Sequence, residues 1–210
     1  MAPASGIRLE RNGKRPHLDS LEAINEELAP IGARIWAQDW SGLSHDLREF
    51  LADPNPSPAR IAEVKPHFLL PRERLVEIIA QAGRAPQVPG GGELVTLDET
   101  HGVTYPQLYV ARAGEDFSRF DRMHVNIGLD GTPVDDVVQL LSGSGLDVHL
   151  RVPSGETLTV QLACPSPNAG WLLTVDCSLP FIGSFSGATV GTKAVSQVIG
   201  PARWKMVYVD

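Results

Sequence analysis

The sequence is short of three things: cysteine, long apolar runs and clustered positive charge. Cys164 and Cys177 are the only cysteines among 210 residues. Read as a hairpin turning near Pro167 to Gly170, the chain between them carries Cys177 well past the position facing Cys164, so no disulfide is expected. Two reduced thiols fit a cytoplasmic protein. No apolar segment approaches the roughly 18 to 20 residues that span a bilayer, and the N-terminus has no continuous apolar region of the secretory type. A formal net charge of -7, with no Lys/Arg cluster beyond Arg8, Arg11, Lys14 and Arg15, argues against a non-specific nucleic-acid surface. Neither nucleic acid nor a membrane is therefore expected as a partner.

What is present divides into two halves. Residues 1–18 mix basic residues, Gly and Pro without periodicity and read as a flexible arm. Residues 19–88 read as a helical segment. Asp19 stands three before Glu22 in a capping-box-like pair, Leu21, Ile24 and Leu28 share one face, and Pro30 and Gly32 stop the helix. A second amphipathic stretch runs from Ser44 to Ala52, with Leu47, Phe50 and Leu51 apolar, and ends at the Pro54 and Pro56 turn. Ser57-Pro58 restarts a short helix in the favoured order of cap and proline. Pro71 opens another, in which Leu75, Ile78, Ile79 and Ala82 face a core and Gly83 supplies the stop.

Beyond the joint at Pro89-Gly90-Gly91-Gly92 the apolar period falls toward two. Short runs rich in Val, Leu, Thr and Tyr predict nine strands: Glu93 to Leu97, Gln107 to Ala111, Met123 to Ile127, Val137 to Leu141, Asp147 to Val152, Thr157 to Ala163, Trp171 to Asp176, Ala194 to Ile199 and Trp204 to Val209. Pro153-Ser154-Gly155-Glu156 reads as a hairpin turn. Strands that follow helices, instead of alternating with them, give an α+β class, with residues 93–210 as an antiparallel barrel or sandwich.

The stretch richest in chemistry is His124-Val125-Asn126, followed after a Gly-Thr-Pro turn by Asp135-Asp136, the apolar run Val137 to Leu141 and Gly143-Ser144-Gly145. Asp135 and Asp136 are adjacent, so at most one points inward from a strand, and the six residues between Asp136 and Gly143 favour Asp136. His-x-Asn with Asp-x6-Gly resembles the first motif of the cupin superfamily, in which His-x-His, a spacer, Glu, six residues and Gly supply three metal ligands. The resemblance covers about 22 residues, from His124 to Gly145. The order of helices before barrel, with Arg34-Ile35-Trp36 after a first helix, is similar to the acireductone-dioxygenase branch. Three departures stand out: Asn126 replaces the second histidine, the spacer to Asp136 is longer, and the later Pro-x-Gly-x-x-His motif has no counterpart.

The resemblance implies a cupin-like barrel with a divalent ion, iron, manganese or zinc, held by His124 and Asp136 and completed by His101 or His149. It implies a metal-dependent oxygenase, ahead of an isomerase or lyase, for a small polar organic acid or enolised carbonyl compound. His149 and Arg151 share one strand face with Thr157, Thr159 and Gln161 opposite. That polar face is either the solvent side of a sheet or a pocket wall in which Arg151 grips a substrate carboxylate. Tyr105, with Tyr109, Phe117, Arg119, Phe120 and Arg122, concentrates aromatic and guanidinium groups next to the His124 strand. Without a complete ligand set, His124, Asp136 and Tyr105 suit metal-free proton transfer, or the barrel binds a small molecule without catalysis. A homodimer through an exposed edge strand is expected.

Three other patterns carry no chemistry. Gly183-Ser184-Phe185-Ser186-Gly187 has Phe where a nucleophile elbow needs Ser. Gly187 to Lys193 is too short for a phosphate loop, and Gly90 to Gly92 lacks the spacing of a dinucleotide fingerprint.

Overall fold

The computed structural model describes residues 5–14, 16, 18, 20–113, 122–185 and 187–209. Strand β1 (Ile7–Arg11) comes first, then α1 (Leu21–Leu28), β2 (Arg34–Asp39), α2 (His45–Ala52), α3 (Pro58–Val64) and α4 (Arg72–Gln81). The strand-rich part follows: β3 (Thr96–Asp98), β4 (Val103–Tyr105), β5 (Gln107–Val110), β6 (His124–Gly128), β7 (Asp135–Ser142), β8 (Ser144–Arg151), β9 (Thr157–Ala163), β10 (Ala169–Asp176), β11 (Phe181–Ser184), β12 (Lys193–Ile199) and β13 (Arg203–Tyr208). The class is α+β. Among the described residues the strands form two sheets and not one closed barrel. Eight run in the order β1-β9-β8-β11-β6-β13-β3-β4 and five in the order β2-β10-β7-β12-β5. Every named pair is antiparallel except β13 with β3.

The helices begin where local chemistry requires. Ser44 and Ser57 accept hydrogen bonds from the N–H groups of Leu47 and Arg60, and Pro58 occupies the first turn, where its missing N–H costs nothing. In α1 the cap is Ser20, whose Oγ accepts from Ala23 N at 3.1 Å; Asp19, the residue expected to cap, lies outside the described residues.

Three helices, α2, α3 and α4, cover the smaller sheet, while α1 adds Ile24 and Leu28 to the core between the sheets. Leu47, Phe50, Leu51 and Val64 pack with Phe68 on Leu108, Val110, Leu141 and Val195. Leu75, Ile78 and Ile79 pack on Val137, Leu172 and Ile199; each of those three helical side chains is fully buried, worth on the order of 2 kcal/mol apiece. The opposite face, with Leu140, Leu173, Val175 and Val198, meets Leu146, Val148, Leu150, Leu158 and Val160 of the larger sheet in one core. A sheet covered on both sides has no wet face, so β12 is buried at all seven positions. β8 and β9, with one face outward, alternate instead.

Polar residues in the doubly covered sheet serve the backbone of the helical layer. Gln197 accepts from Leu70 N and donates to Leu70 O, Gln139 donates to Phe68 O, and Asn25 of α1 bonds both the N–H and the C=O of Ile35 on edge strand β2. Lys193 is fully buried, with Nζ 3.1, 2.6 and 2.9 Å from the carbonyls of Leu51, Asp53 and Gly191. It closes the C-terminal end of α2, where a cation suits the carbonyl dipoles.

Several expectations are corrected. Residues 7–11 of the expected flexible arm form an edge strand paired with β9, with Ile7 and Leu9 buried; an apolar-polar-apolar triplet is too short to stand out among basic residues. Within the expected helical segment, Arg34-Ile35-Trp36 opens a strand paired with β10. β4 and β11, of three and four residues, were not anticipated. The chain from Cys164 to β10 is no hairpin: β9 and β10 lie in different sheets. Gly143 and Gly145, both at positive φ, bend β7 into β8 so that a nearly continuous run changes sheets. A Cβ on Gly143 would be driven into Thr192 Oγ1.

Candidate functional site

Between the two sheets lies a partly open cavity of about 70 Å³, room for roughly two waters or one very small organic molecule. Its wall is mostly aliphatic and aromatic, with polar groups contributed by Tyr105, His124, Asn126, Asp136 and Ser196. The alternation of β6 sends His124 and Asn126 inward and Val125 and Ile127 outward. On β7 the same alternation sends Asp136 to the cavity and Asp135 to the helical layer.

Both aspartates are buried, Asp135 at 1% and Asp136 at 8% exposure, because both faces of their sheet are covered. Their partners differ. Asp135 receives Arg84 Nη1, and the Gln87 N–H donates to it at 3.0 Å. Arg84 also donates to Gly32 O and Thr174 Oγ1. Asp135 is thus one arm of a structural ion pair, with burial still raising its pKa against Arg84's attraction.

Asp136 has no such cation among the described residues. Ser196, a diagonal neighbour on β12, donates its hydroxyl to Oδ1 at 2.9 Å. Desolvation pushes the Asp136 carboxyl up to about 7, against the stabilising bonds from Ser196 and the Val137 N–H. A carboxyl that divides its population between acid and base near neutrality suits proton transfer.

His124, exposed by only 1%, is pushed toward its neutral form, again chiefly by burial. Its Nδ1 lies 3.2 Å from Arg122 O. A carbonyl only accepts, so Nδ1 carries the proton and Nε2 is the basic nitrogen. The ring packs on Phe181 at 4.7 Å between centroids. Tyr105, 5% exposed, receives the Tyr109 hydroxyl at 3.4 Å; burial raises its pKa far enough to keep it a neutral phenol. Asn126 is 2% exposed, and its Oδ1 has no hydrogen-bond partner among the described residues. A buried amide oxygen left unmet costs on the order of 1–3 kcal/mol, a cost that a water, hydroxyl or amine in the cavity would relieve.

The structure brings together three of the expected site residues, Tyr105, His124 and Asp136. It does not bring the others to them. His149 hydrogen-bonds Thr159 at 2.9 Å on the outer face of the larger sheet, while its strand neighbours Val148 and Leu150 point inward. Arg151, two residues on, shares that outer face, so the polar face of β8 and β9 is the solvent side and not a pocket wall. His101 sits in the turn after β3 with Nδ1 2.7 Å from Asp98 and Nε2 3.2 Å from the Tyr208 hydroxyl. Arg119 lies outside the described residues.

The expected ligand set therefore does not fit an ion in this arrangement: no three His, Cys, Asp or Glu side chains of the described residues converge. His124 and Asp136 line one cavity, yet among the described residues the ionisable neighbours that influence His124 are His101 and Asp98.

Two cavity groups escaped the sequence reading as site residues. Asn126 was visible only as a departure from a histidine motif. Ser196 lies in a strand buried throughout, where alternation cannot say which face holds the site. Among the described residues no helix is long and apolar enough to cross a membrane. Comparison with protein-family models, curated proteins and solved structures gives no match, which leaves the chemistry of the cavity as the guide to function.

Proposed function

We propose that the space between the facing sheets is a cupin-like compartment that binds a small, largely apolar carbonyl or hydroxyl compound, and that Asp136 exchanges a proton with it without a metal ion. The carrying observation is a buried carboxyl with no cationic partner among the described residues, held by the Ser196 hydroxyl and the Val137 N–H and pushed up to about 7. As the acid it donates to a carbonyl oxygen; as the base it takes a proton from the adjacent carbon. The Asn126 carboxamide offers the ligand an unmet hydrogen-bonding group, and the neutral Tyr105 phenol adds polarity to a wall that otherwise excludes water. Together these groups suit enolisation, and hence isomerase or lyase chemistry.

The test is deuterium exchange at the α-carbon of acetone, butanone and cyclopentanone in D₂O, followed by proton NMR. The expected result is acceleration by the parent protein that Asp136→Asn abolishes. Equal rates for parent and variant, with no ligand-induced change in the spectrum of either, would defeat the proposal. Binding that persists without exchange would leave a non-catalytic ligand compartment.

The metal-dependent oxygenase reading, for a small polar organic acid or enolised carbonyl, draws its support from His124 and Asp136 lining one cavity. It lacks a third ligand among the described residues. The two free thiols, Cys164 and Cys177, fit a reducing compartment such as the cytoplasm. Association into a homodimer through an open sheet edge completes the proposal.

A further inference from the structure

Behind the His124 side of the cavity wall, where the Tyr208 ring lies 6.2 Å from that of His124, a second set of titratable groups meets on the larger sheet. Asp98 ends β3 beside β13, paired in parallel with Trp204, and is fully buried. Each of its oxygens has a donor: the Thr100 N–H at 2.8 Å and His101 Nδ1 at 2.7 Å. The same turn is fastened to β13 by the Met206 N–H, which donates to Thr100 Oγ1 at 2.8 Å. Two residues further along β13, the Tyr208 hydroxyl stands 3.2 Å from His101 Nε2. Asp98 is buried, His101 reaches solvent and Tyr208 is half-buried, so the far end of this chain of hydrogen bonds is accessible.

The order carboxylate, imidazole, hydroxyl has a defined proton arrangement. With Asp98 Oδ2 accepting from Nδ1–H, Nε2 is left as the acceptor of the phenol proton. The Arg122 guanidinium carbon lies 4.4 Å from the centroid of the Tyr208 ring, placing positive charge over the ring that takes on negative charge as its hydroxyl loses the proton.

We propose that Asp98, His101 and Tyr208 form an activated-tyrosine site that accepts an acyl group from small esters or thioesters. Tyr208 Oη attacks the acyl carbon, and its proton passes to His101 Nε2. As the new phenyl ester bond forms, the acyl bond to the leaving oxygen or sulfur breaks with its electron pair. The leaving group then takes the proton from the imidazolium. Asp98 fixes the tautomer and stabilises the charged ring. This reaction needs neither the cavity nor Asp136, so it stands or falls apart from the enolisation reading.

The experiment treats the full chain with p-nitrophenyl acetate and reads the site of acetylation by peptide mass spectrometry, with N-acetyltyrosinamide as the reference phenol. The expected result is acetylation of Tyr208 about a hundredfold faster than of the reference. His101→Gln should bring it down to the reference rate, and imidazole added to His101→Ala should restore it in part. Circular dichroism of each variant confirms that the fold is retained, and Tyr208→Phe, which removes a single hydroxyl, should abolish the label. Labelling of Tyr208 at the reference rate would overturn the proposal. So would labelling unchanged by His101→Gln, or nitrophenol release that requires His101 but survives Tyr208→Phe, which would make the imidazole itself the nucleophile.

Discussion

Replacing Asp136 by Asn should stabilise the protein, and by an amount that grows with pH. The Asn side chain keeps an oxygen to accept the Ser196 hydroxyl, fills nearly the same volume, and cannot ionise. In the parent, the folded-state pKa stands at about 7 against 3.8 for the free side chain. A folded pKa raised above the unfolded one means that the native state holds its proton more tightly. Stability is therefore complete below about pH 4 and is lost progressively as pH rises toward 7. The shift of about three units corresponds to roughly 4 kcal/mol when fully expressed. Between pH 5 and pH 8 the integrated change is about 2.5 kcal/mol. Urea unfolding of parent and variant at both pH values isolates that figure, because every other titrating group is common to the two proteins. A marginally stable domain makes 2.5 kcal/mol easy to resolve. If the difference between variant and parent is the same at pH 5 and pH 8, Asp136 does not titrate near neutrality, and its role as a proton-transfer group fails with it.

Lys193→Met should cost about 2–3 kcal/mol in urea unfolding, since the carbonyls of Leu51, Asp53 and Gly191 lose a charged donor where water cannot replace it; a loss below 0.5 kcal/mol would show that water enters the end of α2. Gly143→Ala should destabilise by at least about 2 kcal/mol, because its φ of 83° and the approach of Thr192 both oppose a Cβ; an unchanged thermal midpoint would refute this. Plasma mass spectrometry on protein purified without an affinity metal should find no stoichiometric iron, manganese or zinc, whereas a full equivalent lost in His124→Ala would favour the oxygenase reading. Light scattering over a wide concentration range should give the mass of a dimer, and a monomer's mass throughout would remove the edge-strand association.

The helices were legible because their signals are local: Ser44, Ser57 and Pro58 act on atoms within one turn. The strands with one wet face were legible too, as in β8 and β9, where period-two burial matches period-two polarity. Strands of the doubly covered sheet were found but could not be oriented. In β12 a lysine, a serine and a glutamine are all buried, and nothing in their order says that Lys193 and Gln197 hold the helical layer while Ser196 faces the cavity. Those roles depend on Leu51, Asp53 and Leu70, more than 120 residues away in sequence.

The same limit decides the candidate site. Alternation places Asp135 and Asp136 on opposite faces, and both faces are dry, so burial alone gives two equivalent candidates for a perturbed acid. Arg84 breaks the tie. It reaches Asp135 from the segment after α4 and is anchored on Gly32 and Thr174, which commits Asp135 to holding the layers together. Asp136, one residue along, faces a space to which the described residues supply a serine hydroxyl and an unmet amide oxygen but no cation. The two carboxyls are thus separated by a charge supplied from 51 residues earlier, and the proton-transfer role proposed for Asp136 depends on that charge going to Asp135.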